Sequence, residues 1–286
     1  MMTPVRIVFF ITLINLHGFL NPAYSQNPAD TLVEQNPLAT NQPASDSQRN
    51  SMADTSRTLY RLNRTYLKSA LRDLEYVAKR PLQWQRNDWR KFSAATILTA
   101  GMIAADWEIQ KVFRSNQNNV TSSVAKVVEP FGNVYGLYIF PAIYVAGALT
   151  KQRKVESLGL QGAKSLAIST VVYTVSKKLI RRRRPDETSS PFDYALPFAK
   201  RGYTSSPSGH SNTIFTVATA LALEFKEVKW VPPALYAIAT ATALSRVYQN
   251  RHWGSDILMG SLLGHFVTKA VWKNNQVKSR KAVVLY

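Results

Sequence analysis

The sequence predicts an all-α protein, a bundle of about six core helices with further helices at its flanks. Three observations lead there. Six apolar segments, at 92–105, 134–149, 158–176, 211–225, 231–244 and 257–272, are each long enough for several helical turns. None alternates apolar and polar residues as a half-buried strand would. Ala, Leu and Thr dominate them, and no internal repeat is evident.

The segments before the bundle have different characters. Arg6 followed by an apolar run over 7–16 has the form of a secretory signal. Ala23-Tyr24-Ser25 places small residues at the cleavage positions, so residues 1–25 are expected to form a signal peptide and Gln26 a new N-terminus. An uncleaved anchor is the rival reading, although the run is short for a span. Residues 26–57 are rich in Asn, Gln, Ser, Thr, Ala and Pro, with Leu32, Val33, Leu38 and Met52 as the large apolar side chains. Such a segment buries too little surface to offset its ordering entropy and reads as a disordered linker.

Order is expected from about Leu59, and the residues 58–275 are expected to form the all-α domain. Leu67, Leu71, Leu74 and Ala78 fall at helical spacing, with Arg61, Arg64, Lys68, Arg72 and Lys79 on other faces. Pro81 closes the pattern. This helix either lies on a membrane surface or packs on the core. Residues 276–286 read as a basic tail.

Whether the six segments cross a membrane is open at this level. Several are short for spanning, Asp106 and Lys164 interrupt them, and the mean hydropathy is −0.16. Three spans before residue 177 would also put the basic 177–184 segment on the cytoplasmic side of an exported chain. Trp84, Trp89 and Trp107 suit interfacial anchors and buried aromatics equally.

Composition narrows the chemistry. The chain has 36 Lys+Arg against 17 Asp+Glu, a formal charge of +19, which favours anionic partners. It has no cysteine, so disulfides, thiol chemistry and thiolate metal sites are excluded. Of four histidines, His17 lies in the expected signal, leaving His210, His252 and His265.

Three short segments carry candidate chemistry. Lys177 and Arg184 are seven residues apart, two turns on one helix face, and Pro185 is expected to end that helix. A point cation beside a planar guanidinium suits an oxyanion with several acceptor oxygens. In Pro207-Ser208-Gly209-His210 a helix is expected to open and run to about Phe225. Ser208 caps it, Gly209 admits a ligand close to backbone amides, and His210 sits at an edge suited to proton transfer. In Ser245-Arg246, followed by His252 and Asp256, Arg246 adds a guanidinium. Asp256 lies four residues after His252, within reach if the chain is helical there. A carboxylate on one imidazole nitrogen leaves the other as a nucleophile.

Each segment alone is compatible with a basic surface, a capped helix or a structural His–Asp pair. Together they supply three cations, a helix N-terminus and two histidines, the inventory for phosphoryl transfer without a metal.

The pattern Lys-x6-Arg-Pro, Pro-Ser-Gly-His, Ser-Arg-x5-His-x3-Asp resembles the signature of the type 2 phosphatidic acid phosphatase and vanadium haloperoxidase superfamily. All eleven signature residues are present in order over 177–256. The resemblance implies that family's all-α fold. It implies phosphate binding by Lys177, Arg184, Ser208, Gly209 and Arg246. It also implies His252 as nucleophile, Asp256 as its orienting partner and His210 as general acid. No cofactor is implied for a phosphatase. Vanadate is expected to inhibit, or to serve as cofactor if the chain is a haloperoxidase.

The function expected is hydrolysis of a phosphate monoester or diphosphate, foremost on a lipid of the cell envelope, through a phosphohistidine. The export signal, basic surface and apolar helices favour lipid and an anionic membrane surface as partners. They place the protein in the periplasm or envelope, integral to the membrane or associated with it. A soluble phosphomonoester and haloperoxidase activity are the alternatives. Nucleic acid is not expected, since no binding motif for it appears. The oligomeric state is not legible. His265 on the last helix is expected to be a satisfied core or interface histidine.

Overall fold

The computed structural model of the chain describes residues 61–198 and 202–284. The expected signal peptide and linker lie outside the described residues. Within them every apolar segment becomes a helix and no strand forms. We label the helices α1 (Arg64–Lys79), α2 (Arg86–Ser115), α3 (Asn119–Val128), α4 (Val134–Leu149), α5 (Arg153–Ile180), α6 (Gly209–Glu224), α7 (Val231–Tyr248) and α8 (Gly254–Val284).

The centre of the bundle is α6, buried along nearly its whole length from Ser211 to Ala220 and packed by α5, α7 and α8. Its Ala, Thr and Ser side chains are small enough for neighbours to approach closely. Gly260 and Gly264 of α8 are one turn apart, and a methyl group on either would run into the backbone of α6 at Ser208 and Asn212. Those two glycines let α8 lie directly on the start of α6, which carries the Pro-Ser-Gly-His segment.

Asp106 and Lys164, which interrupt the apolar segments, are buried and paired. Lys164 Nζ lies 2.6 Å from Asp73 Oδ2, tying α5 to α1, and Asn274 Nδ2 of α8 donates to Asp73 Oδ1 at 2.8 Å. This polar seam corrects the face expected for α1. Tyr66, Ser69 and Asp73 turn inward, whereas Leu67 and Leu71 are 56% and 68% exposed and Ala78 is exposed. Leu74 keeps its place, half-buried against Ile168, Val267 and Val271. A buried charge demands its partner more strongly than two leucines demand burial, so the ion pair sets the rotation of the helix.

Two further differences concern elements. Residues 119–128, which lie outside the six apolar segments, form α3, with Asn118 capping it through Thr121 N at 3.0 Å. The last helix continues to Val284, through most of the stretch expected as a tail. Among the described residues no single helix is long and apolar enough to cross a membrane. One pair, Asn119–Gly132 with Val134–Leu149, reaches that length and apolarity together and is bent by 44°. Trp107 packs at 6.3 Å from the buried Trp253, while Trp89 is half exposed beside Trp84 and Phe92.

Candidate active site

The site forms where four elements meet: the end of α5 with the chain that follows, the start of α6, the end of α7, and the loop into α8. α5 stops earlier than expected. Its last residue is Ile180, and Arg181 turns out of the helix with φ 45°. Lys177 and Arg184 therefore do not share a helix face, and Pro185 is not what ends the helix. Arg184 instead lies in an irregular segment that folds back over the bundle, held by Arg183 N to Asp193 O at 3.0 Å and Ser205 N to Arg182 O at 2.9 Å. The two cations converge all the same. The Arg184 guanidinium presses on the Lys177 ammonium, and burial together with that repulsion pushes Lys177 down to about 8. Lys177 Nζ donates to Thr204 O at 2.9 Å and lies 5.8 Å from the Tyr173 ring centre.

The start of α6 follows expectation. Ser208 is its fully buried N-cap, and Ser208 N is tied to Asp256 O at 3.0 Å. Gly209 opens the helix against Tyr173, where a side chain would be crowded. His210 Nε2 donates to Glu129 Oε1 at 2.8 Å, and Arg246 Nη1 reaches the same oxygen at 3.2 Å. Glu129, in the short turn between α3 and α4, is a site residue that the motif reading missed. Only its place beside two basic motif residues reveals it. Burial and the nearby Arg246 charge lower His210, while Glu129 opposes that shift.

His252 sits in the loop ahead of α8, only 4% exposed, with its backbone N directed at Arg246 O. Burial and the charges of Lys177, Arg184, Arg246 and His210 hold its imidazole well below the usual histidine range. At neutral pH the ring is an uncharged base with a lone pair. Because α8 begins at Gly254, His252 and Asp256 are not on one helix. His252 Nδ1 lies 3.9 Å from Asp256 Oδ2, an ion-pair distance rather than a hydrogen bond. Asp256 Oδ2 instead accepts from Ser205 Oγ at 2.5 Å and from Trp253 N at 2.9 Å, and Oδ1 accepts from Arg182 Nη1 at 3.0 Å. Arg182, a neighbour of motif residues, is a second group that sequence reasoning passed over.

The side chains of Lys177, Arg184, Arg246, His210 and His252 are thus brought together, with the amide end of α6 beside them. The Nε–H groups of Arg184 and Arg246 are buried and have no acceptor among the described residues. Buried donors without partners are costly, and a tetrahedral oxyanion offers acceptors for both. His265 stands apart on α8. Its Nδ1 accepts from Tyr236 Oη at 2.8 Å and Thr219 Oγ1 at 3.1 Å, while its buried Nε2 has no partner among the described residues, so within them it is half satisfied.

Parts of this chain resemble known proteins. Residues 160–280 match the family model described as the PAP2 superfamily. It is 34% identical over 106 residues to the lipid A 1-phosphatase of Porphyromonas gingivalis, covering 37% of this chain. The match spans 21% of that relative, about a fifth of its length. It is 27% identical to the undecaprenyl-diphosphatase of Sulfolobus acidocaldarius, over 56% of this chain and 74% of the relative. The crystal structure of the transmembrane PAP2-type phosphatidylglycerolphosphate phosphatase of Bacillus subtilis superposes with a TM-score of 0.50 at 25% identity. That superposition covers 65% of this chain and 94% of the other.

Proposed function

We propose that this chain is a phosphatase that hydrolyses a phosphate monoester or diphosphate on a lipid, through a phosphohistidine on His252. The observation that carries the reading is the convergence of Lys177, Arg184 and Arg246 on a buried, neutral His252. Three fixed positive groups and the first amides of α6 suit the equatorial oxygens of a transferring phosphoryl group.

In this reading a lone pair on His252 attacks phosphorus in line. The bond from phosphorus to the lipid oxygen breaks, and His210 gives that oxygen a proton. A water then attacks the phosphohistidine while His210 takes its proton, releasing inorganic phosphate. Ser208 and Gly209 complete the cradle, and Asp256 steadies the cation that forms on His252. No step calls on a metal. We assign this chemistry to a domain over residues 58–275.

Lipid is favoured over a soluble ester by the apolar side chains that face outward. Leu137, Tyr138 and Val145 of α4 and Val171 and Val175 of α5 are each more than 40% exposed, and the chain carries a formal charge of +19. Contact with an anionic membrane surface follows, and the N-terminal signal would deliver the chain to the envelope. Relatives named for lipid A and undecaprenyl diphosphate point to the same substrate class.

The test is phosphate release by the full chain in detergent from phosphatidate, a polyprenyl diphosphate, phosphatidylglycerophosphate and lipid A, beside a small aryl phosphate, with EDTA and vanadate controls. Turnover of a lipid that survives EDTA, stops with vanadate and vanishes in His252→Ala is expected. Turnover of the small ester alone would remove the lipid assignment. Unchanged activity in His252→Ala would remove the mechanism.

A further inference from the structure

Arg182 is 1% exposed, and each of its donor nitrogens is engaged. Nε and Nη2 donate to Pro191 O at 2.9 and 2.6 Å. Nη2 also reaches Asp106 Oδ2 at 2.8 Å, and Nη1 serves Ser255 Oγ at 2.6 Å and Asp256 Oδ1 at 3.0 Å. The rings of Trp253 and Tyr194 lie 5.2 and 5.4 Å from the guanidinium carbon. A fork held on every side has one orientation, and its two carboxylate partners, Asp106 and Asp256, are both fully buried.

Asp106 comes from α2, which buries little else. Thr99 and Gln110 are the other residues of that helix described as buried. Its carboxylate grips the first turn of α8 a second time, accepting from Ser255 N at 2.9 Å and Ser255 Oγ at 2.5 Å. Asp106 therefore holds the residue next to Asp256 through the backbone and Asp256 itself through Arg182. One guanidinium shared by two carboxylates leaves this buried cluster with more negative than positive charge, and Asp256 Oδ2 is the oxygen that faces His252.

We infer that Asp106 and Arg182 are positioning residues of the proposed reaction, a second tier that aims Asp256 at His252 and keeps the excess negative charge beside it. The inference rests on the phosphohistidine reading above. Without Arg182 the carboxylate of Asp256 keeps its Oδ2 bonds to Ser205 and Trp253 but loses the group that holds Oδ1. Without the charge of Asp106 the guanidinium is paired by Asp256 alone, and Asp256 stabilises a cation on His252 less well.

The experiment is a double-mutant cycle on the full chain in detergent, with Asp106→Asn, Asp256→Asn and both together, reading kcat and KM on a lipid phosphate and the melting temperature of each. A role through Asp256 lowers kcat about tenfold in Asp106→Asn with KM within about twofold, and the double variant falls no further than Asp256→Asn within about twofold. A merely structural role would instead compound the two losses. Multiplying effects, or a kcat for Asp106→Asn equal to that of the unaltered protein, would overturn the inference while leaving the phosphatase reading intact. An unaltered protein that releases no phosphate from any lipid or small ester would overturn both. If Asp106→Asn does not fold, Ser255→Ala replaces it in the cycle. That change removes the hydroxyl linking Asp106 to Arg182 while keeping both charges, and the same non-additivity is expected from a smaller loss.

Discussion

His252 Nδ1 and Asp256 Oδ2 face each other across 3.9 Å, and the carboxylate makes its hydrogen bonds elsewhere, to Ser205, Trp253 and Arg182. Asp256 therefore acts on the imidazole mainly as a charge held at a fixed distance. Replacing it by Asn keeps the shape and removes the charge. We expect kcat to fall about 10- to 100-fold with KM little changed, less than the loss of about 10⁴ seen where such a carboxylate is hydrogen-bonded to the histidine. Steady-state kinetics on a lipid phosphate measure this.

The alkaline limb should belong to Lys177. Its ammonium is brought down to about 8, chiefly by burial and then by Arg184, so it loses its proton as pH rises through that value. Phosphate affinity needs the charged form. KM is thus expected to be flat below pH 8 and to rise above it, and Lys177→Met should show a raised KM without that rise. His252 must be neutral to attack, and its depressed range keeps it so well below pH 6.5. KM and kcat measured from pH 5 to 9.5 at constant ionic strength check both points.

Glu129 joins the candidate acid to a candidate phosphate ligand, accepting from His210 at 2.8 Å and Arg246 at 3.2 Å. Glu129→Gln removes the charge that favours protonated His210 and frees Arg246. Hydrolysis of an alkyl ester, which needs its leaving oxygen protonated, should slow about tenfold, a part of the roughly 10²- to 10⁴-fold that general acid catalysis contributes. An aryl phosphate with a good leaving group should be nearly unaffected in kcat and bind more tightly. The ratio of the two kcat values is the readout.

His265 gives a stability signature away from the chemistry. Burial, and then Lys269, bring it down to about 3, so it stays neutral in the fold where the unfolded chain would protonate it near 6.5. The unfolded state then binds more protons between those values. Stability should fall by about 1.4 kcal/mol for each unit of pH lost through that window. Denaturant titrations of the protein and of His265→Gln between pH 6.5 and 4 should differ by this slope.

The fold was legible because apolar periodicity is a local property. All six apolar segments are helices, and the helix expected from Ser208 to about Phe225 forms as Gly209–Glu224. The motif residues were legible for another reason: a cation pair, a capped glycine turn and a histidine near a carboxylate each signal chemistry within a few residues of chain. Local reasoning failed at the end of α5, where it carried a helix through Arg184. It failed again on α1, where leucine spacing pointed to the wrong face.

By itself the sequence determined the helices, the three cations, and the two histidines and carboxylate of the motif blocks. The tertiary structure alone decided that Arg182 is the guanidinium shared by two buried carboxylates, and that Asp106 and Glu129 reach the site from 76 and 81 positions away. The reason is physical. Helical periodicity depends on neighbours in the chain, whereas a buried charge is stable only where the fold supplies its counter-charge, and that partner carries no mark in the sequence around it.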